Sequence, residues 1–187
     1  MENFDELMDD EKFRKLYKYS LDWKRISHKL IEEFWDSDEK LKYIVWSTLD
    51  MASAFGQMDS LKSQIVNWIV SNRDFVKAGI LDIENCPKFL IGTDGRKTGF
   101  PSALSKFCHI VNPQKYKFIW DNNFSIFVGN ELGKGDMYAK SHWKEVCRVM
   151  ERMFNLDDVA SPENITIWDV DSKIWAYIKW KNKEENN

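Results

Sequence analysis

Apolar residues return every three or four positions along most of this chain, and that regularity restricts it to helices. In FDELMDDEKFRKLYKYSLDWKRISHKLIEEFW, Phe13, Leu16, Tyr17 and Leu21, then Trp23, Ile26 and Leu30, keep helical spacing among charges, which predicts one or two helices. DEKLKYIVWSTLDMASAF and MDSLKSQIVNWIVSNRDFV predict two more, the second with Leu61, Ile65, Trp68 and Ile69 on one stripe. The pattern lapses from about Gly79 to Phe100, where Pro87 and four of the eight glycines fall, so a loop with at most short turns is expected. It resumes at Pro101, suited to a first helical turn, and stops near Asn112 because Pro113 disfavours a helical residue before it. Asp121 then reads as the N-cap of NNFSIFVGNEL, with Gly129 to Gly135 ending that helix. Trp143, Val146, Cys147 and Met150 mark the core face of the next, and TIWDVDSKIWAYIKW forms the last. The expected fold is all-α. It is one globular multi-helix domain over 1–187 or two helical lobes around a cleft, with acidic N-terminal helices over 3–78.

The nine Trp and twelve Phe among 187 residues demand large interlocking side chains, which excludes a disordered chain. Three cysteines without a CxxC or paired histidine spacing support neither a disulfide framework nor a zinc site, so no metal and no cofactor is expected. No run of roughly 18 apolar residues could span a membrane, and MENFDELMDDEK is acidic where a signal peptide is basic, so the expected location is the cytoplasm. The formal net charge of -3 hides an asymmetry. Residues 2–12 hold six acids against Lys12, whereas residues 88–117 hold Lys88, Arg96, Lys97, Lys106, Lys115 and Lys117 against Asp94. A locally basic segment can track phosphates inside an acidic protein, because steering depends on the field at one face. A solvated loop region with scattered lysines is the plainer reading of the same residues.

The segment SKFCHIVNPQKYKFIWDNNFSIF concentrates the chemistry. On a helix from Pro101 to Val111, Leu104, Phe107, Cys108 and Val111 form an inward face, and Ser102, Ser105, Lys106 and His109 form the opposite one. Taken alone, that polar face reads as solvated. The apolar return Tyr116, Phe118, Ile119 and Trp120 argues instead for burial close by, and withdrawing a lysine from water favours the neutral amine that can attack carbon. Asp121 follows at a helix start, where the dipole favours an anion and where a turn could bring it back near Lys106.

A lysine after a glycine-containing loop, followed by an aspartate that opens a helix after an apolar run, resembles the helix-hairpin-helix DNA glycosylases, particularly divergent relatives of 8-oxoguanine DNA glycosylase. The residues that carry the likeness are Ser105-Lys106 and Ile119-Trp120-Asp121, with Asp171, Ile174 and Trp175 similar to the closing helix of those relatives. It covers about residues 90 to 180. The resemblance implies an all-α fold that binds duplex DNA and flips one base into a pocket. Lys106 would attack the sugar C1′ while Asp121 stabilises the cationic transition state. Lys88, Arg96, Lys97, Lys115 and Lys117 would hold phosphates, with Ser102, Ser105, His109 and Trp120 as candidate pocket residues. The chain lacks a Leu-Pro-Gly-x-Gly hairpin before Lys106, and its Lys-to-Asp spacing is shorter than the family's. GTDGRKTG looks more like the family's hairpin, which makes Lys97 the competing family lysine, although it lies in a loop where nothing would desolvate it.

The rival expectation is a non-catalytic helical binding protein of a defence or regulatory system, with Lys106 and Asp121 a structural pair. His28 and His142 sit alone on amphipathic helices and read as surface or satisfied core residues. Asp169 and Asp171 are two apart, so they do not face each other on a helix, and they are assigned to its first turn.

Overall fold

A computed structural model describes residues 4–52, 59–83, 89–91, 97–134, 142–156 and 165–184. The described elements are α1 (Phe4–Leu7), α2 (Glu11–Glu33), α3 (Asp38–Met51), α4 (Asp59–Ser71), α5 (Arg73–Lys77), β1 (Phe89–Ile91), β2 (Lys97–Gly99), α6 (Phe100–Val111), α7 (Asn122–Glu131), α8 (Trp143–Met153) and α9 (Ile165–Glu184). The fold is all-α, as the periodicity predicts. One expectation fails: within the segment read as loop, β1 and β2 pair antiparallel, with Phe89 opposite Gly99 and Ile91 opposite Lys97. Three residues per strand are too few to show a period of two, so turn-forming glycines dominate the reading of that stretch.

The chain divides into two compact units, Met1–Lys24 with Trp120–Asn187, and Arg25–Ile119. The second unit is built around α6, which packs on α3, α4, α5 and β1. Leu41, Val45 and Leu49 recur every four residues along α3, and Leu61, Ile65 and Ile69 do so along α4, and all six are buried. Each such side chain removed from water is worth roughly 1.5–3 kcal/mol. Burial of these stripes is therefore what makes helices of 13 and 14 residues stable. Helix α5 stops where Gly79 adopts φ +70, a conformation that favours glycine. The Ile80 amide then donates to the Phe75 carbonyl at 3.1 Å and the Gly79 amide to that of Val76 at 2.9 Å, which satisfies two carbonyls at the helix end.

In the first unit α7 packs on α9, and Phe4, Phe127, Phe154 and Tyr177 form a ring cluster with centroids 6.0 to 6.4 Å apart. Trp143, Val146 and Met150 of the expected α8 stripe are buried, and Cys147 is half-buried. Helix α2 begins on Asp10, whose Oδ1 accepts from the amides of Lys12 and Phe13 at 2.8 and 2.9 Å. The Phe13 amide is the main reason that this carboxyl lies below its ordinary range.

Two sequence readings of the helices are corrected. Phe13, Leu21 and Trp23 of the expected α2 stripe are buried, but Ile26 is 60% exposed, and Ser20, Lys24, Ser27 and Ile31 are buried as well. Asp169 and Asp171 stand beyond the first turn of α9, because the helix already begins at Ile165. They are held there by α2: the Tyr17 hydroxyl donates to Asp169, and Lys24 pairs with Asp171.

Candidate functional site

Helix α6 carries the candidate site of the second unit. Its sequence offers an apolar face and a polar one, yet every residue from Ala103 to Val111 is buried, whereas Pro101 and Ser102 near its start are half-buried. The reading of the polar face as solvated therefore fails, because α6 is a central helix surrounded by its neighbours. Ser105 and His109 are fully enclosed, and Lys106 is 7% exposed. The Lys106 Nζ donates to Ser102 Oγ at 3.1 Å, and the Ser105 hydroxyl donates to the Ser102 carbonyl at 3.0 Å. Side chains on a helix lean toward its N-terminus, so the Lys106 stem runs back along α6 and delivers the amine toward the partly exposed first turn. A buried stem with its amine at the open end of the helix is the arrangement a lysine nucleophile needs.

The chain after α6 is tied down by polar contacts. Asn112 Nδ2 donates to the Lys77 carbonyl at 2.9 Å. The Tyr116 hydroxyl donates to the Leu81 carbonyl and accepts from the Leu81 amide, both at 3.1 Å. Burial raises the Tyr116 phenol to about 12. His109 Nδ1 lies 2.9 Å from the Tyr116 carbonyl oxygen and His28 Nδ1 lies 2.9 Å from that of Ile110. A carbonyl only accepts, so both rings carry a proton on Nδ1. His28 is thus a satisfied histidine, as expected, and His109 is fixed by the segment that follows its own helix. Lys115 is exposed in that segment and Lys117 is half-buried. Lys97 lies on β2, while Lys88 and Arg96 lie outside the described residues.

Asp121 and Trp120 belong to the first unit. Asp121 is extended (φ -140, ψ -179) and its Oδ1 accepts from the Phe124 amide at 3.0 Å, so the N-cap reading holds. Trp120 is half-buried and stacks on Trp143 with centroids 4.9 Å apart, and Phe124 meets the Trp143 ring edge-on at 5.3 Å. The capping carboxylate therefore sits on a rigid aromatic base.

The first unit also holds a second buried lysine that the apolar pattern conceals. Lys24 is 1% exposed, and its Nζ reaches Ser20 Oγ at 2.9 Å, Ser172 Oγ at 2.8 Å and Asp171 Oδ2 at 3.0 Å. Ser20, Lys24 and Ser27 occupy the i, i+4 and i+7 positions of the stripe that Ile31 continues, so polar residues filling a core face were the available signal. Among the described residues no group of three metal-ligating side chains gathers, and no helix is long and apolar enough to cross a membrane. Compared with known proteins, the chain matches no family model, no curated protein and no solved structure.

Proposed function

We propose that the protein is a DNA-glycosylase-like enzyme that binds duplex DNA and flips a base, with Lys106 as nucleophile. The observation that supports this reading best is the enclosure of Lys106, whose amine is held by Ser102 at the open end of a buried helix. In this reaction the Nζ lone pair forms a bond to C1′ as the glycosidic bond breaks, its electron pair leaving on the base. One N–H proton passes to the departing base, directly or through water. Protonation of the ring oxygen then opens the sugar and leaves a protonated imine on Lys106. Lys115 and Lys117, with Lys88, Arg96 and Lys97, would neutralise phosphates.

Borohydride trapping tests the proposal. A duplex with a preformed abasic site offers the C1′ aldehyde directly, and one with 8-oxoguanine requires base removal first. The native protein should form a covalent adduct that Lys106→Gln does not form, while Lys106→Gln still binds the duplex. No adduct on either duplex, or an undiminished adduct from Lys106→Gln, would refute the assignment and leave the helical binding protein.

A further inference from the structure

We infer that the first unit carries a stacking site for an unpaired nucleobase on Tyr19, a contact for single-stranded nucleic acid. Tyr19 on α2 is 52% exposed, whereas Phe4, Phe13, Phe124 and Phe127 of the same unit are buried. Its ring lies against that of Trp175 on α9, with centroids 6.2 Å apart and planes tilted by 31°. Trp175 is half-buried, and Lys179, one turn further on, holds its ammonium 5.9 Å from the Trp175 ring centroid. The tyrosine is therefore backed by a second ring, with its exposed part left to water. A flat ring held in place at the surface is what an unpaired base needs, since every base has a π face to lay on it.

Charge and size select the ligand. Lys12 and Lys15 precede Tyr19 by seven and four residues, on the same side of α2, and Lys179 follows Trp175 by four on α9; all three are exposed. The acids on this side are Asp22, half-buried three residues after Tyr19, and Glu11, which pairs with Lys15 at 2.6 Å. The surroundings of the rings are thus cationic on balance, as phosphates require. Among the described residues of this unit, Tyr19 is the one exposed large hydrophobic side chain. One such ring is too little for a protein interface, which takes about 800 Å² per partner, or for insertion into lipid. None of these residues is among the lysines assigned above to duplex phosphates, and the site does not involve Lys106.

The test is fluorescence anisotropy of a labelled oligothymidylate of about ten nucleotides, beside an oligomer of the same length in which every position is abasic, with melting temperature as the check on folding. Native protein should bind the oligothymidylate more tightly, because both oligomers present the same phosphates. Tyr19→Ala should weaken that binding by roughly five- to a hundredfold, the scale of one stacked base, and leave melting and the abasic oligomer unaffected. Tyr19→Phe keeps the ring and should retain most of the affinity. Lys179→Gln should flatten the log-log salt dependence by about 0.7, one single-strand phosphate contact, and an unchanged slope would overturn that contact. Equal binding of the two oligomers, binding of neither, or native affinity in Tyr19→Ala would overturn the site. A loss of affinity in step with melting temperature, unrelieved by phenylalanine, would make the ring structural and overturn it as well. If Tyr19→Ala instead loses binding only to phosphatidylserine vesicles, the ring is a membrane contact and the site fails. No covalent step enters these measurements, so trapping by Lys106 can fail while they succeed, and the reverse.

Discussion

Removing the Lys24 ammonium should be among the most damaging single changes to the first unit. Lys24→Met keeps much of the stem volume, but takes the cation from Asp171 at 3.0 Å and the donors from Ser20 and Ser172 at 2.9 and 2.8 Å. Lys24 is 1% exposed and Asp171 is 5% exposed, so water cannot replace what is lost. Breaking a buried ion pair from one side costs about 3–5 kcal/mol. That is a large part of the roughly 5–15 kcal/mol that holds an ordinary domain together. At roughly 2–4 °C per kcal/mol for a chain of this size, melting should fall by about 6–20 °C. Adding Asp171→Asn removes the stranded charge while keeping polar atoms in place, so the double variant should be more stable than the sum of the single losses implies. Urea unfolding followed by tryptophan fluorescence and far-ultraviolet circular dichroism gives the cycle, provided the two transitions coincide. A loss under about 1 kcal/mol for Lys24→Met would refute the argument, since that is the scale of an exposed pair. A loss equal in the native and Asp171→Asn backgrounds would refute it too, by showing no coupling.

Three further outcomes follow from single contacts. Tyr116 titrates at about 12 in the native state and near 10.0 when unfolded, because burial penalises the phenolate. The native state therefore retains a proton that the unfolded chain releases, and the stability this contributes is complete below pH 10 and is lost as pH rises toward 12. Ultraviolet titration of the six tyrosines should show a late phase that Tyr116→Phe diminishes by one tyrosine, and an undiminished phase would reject the assignment. Gly79→Ala places a Cβ 3.0 Å from Lys115 Cγ at φ +70 and should cost about 1–2 kcal/mol, measured by urea unfolding. Duplex affinity should fall with salt at a log-log slope of about -0.9 per phosphate contact, and Lys115→Ala should flatten that slope by about one contact.

The helices were legible wherever an apolar stripe was long enough to repeat, as in α3, α4 and α8. The N-cap at Asp121 was legible because capping chemistry is local: a short acid before a helical run can reach the first-turn amides without help from elsewhere. What escaped at Lys24 was set by partners distant in sequence. Lys24 stands where an apolar side chain would continue the stripe, and only Asp171 and Ser172, about 150 positions on, make it tolerable there. Ile26 was assigned to the core by the same error, since skipping Lys24 shifts the apparent stripe around the helix. The enclosure of Ser105 and His109 was equally hidden, because a central helix with polar residues has the sequence pattern of a surface one. Their burial depends on local ties, Ser105 to the Ser102 carbonyl and His109 to that of Tyr116.

Lys24 and Lys106, two of the three lysines buried among the described residues, differ in where their nitrogen is held. An ammonium has three N–H donors, and Lys24 directs them at two hydroxyls and one carboxylate, with distances of 2.8 to 3.0 Å. In that setting the nitrogen has no lone pair to offer. Neutralising it would leave the Asp171 carboxylate buried beside an amine, which costs more than keeping the proton. Lys24 is therefore locked as a cation that joins α2 to α9, and a nucleophilic role for it is ruled out by its own contacts. Lys106 differs in its position. Its stem is enclosed by α6 and its neighbours, its amine is brought to a hydroxyl at the partly exposed first turn, and that hydroxyl can serve an ammonium or an amine alike. A lysine that must attack carbon has to lose a proton without stranding a buried charge. On the reading proposed above, the chemistry is placed on α6 because the Ser102 hydroxyl can accept from Lys106 in either protonation state.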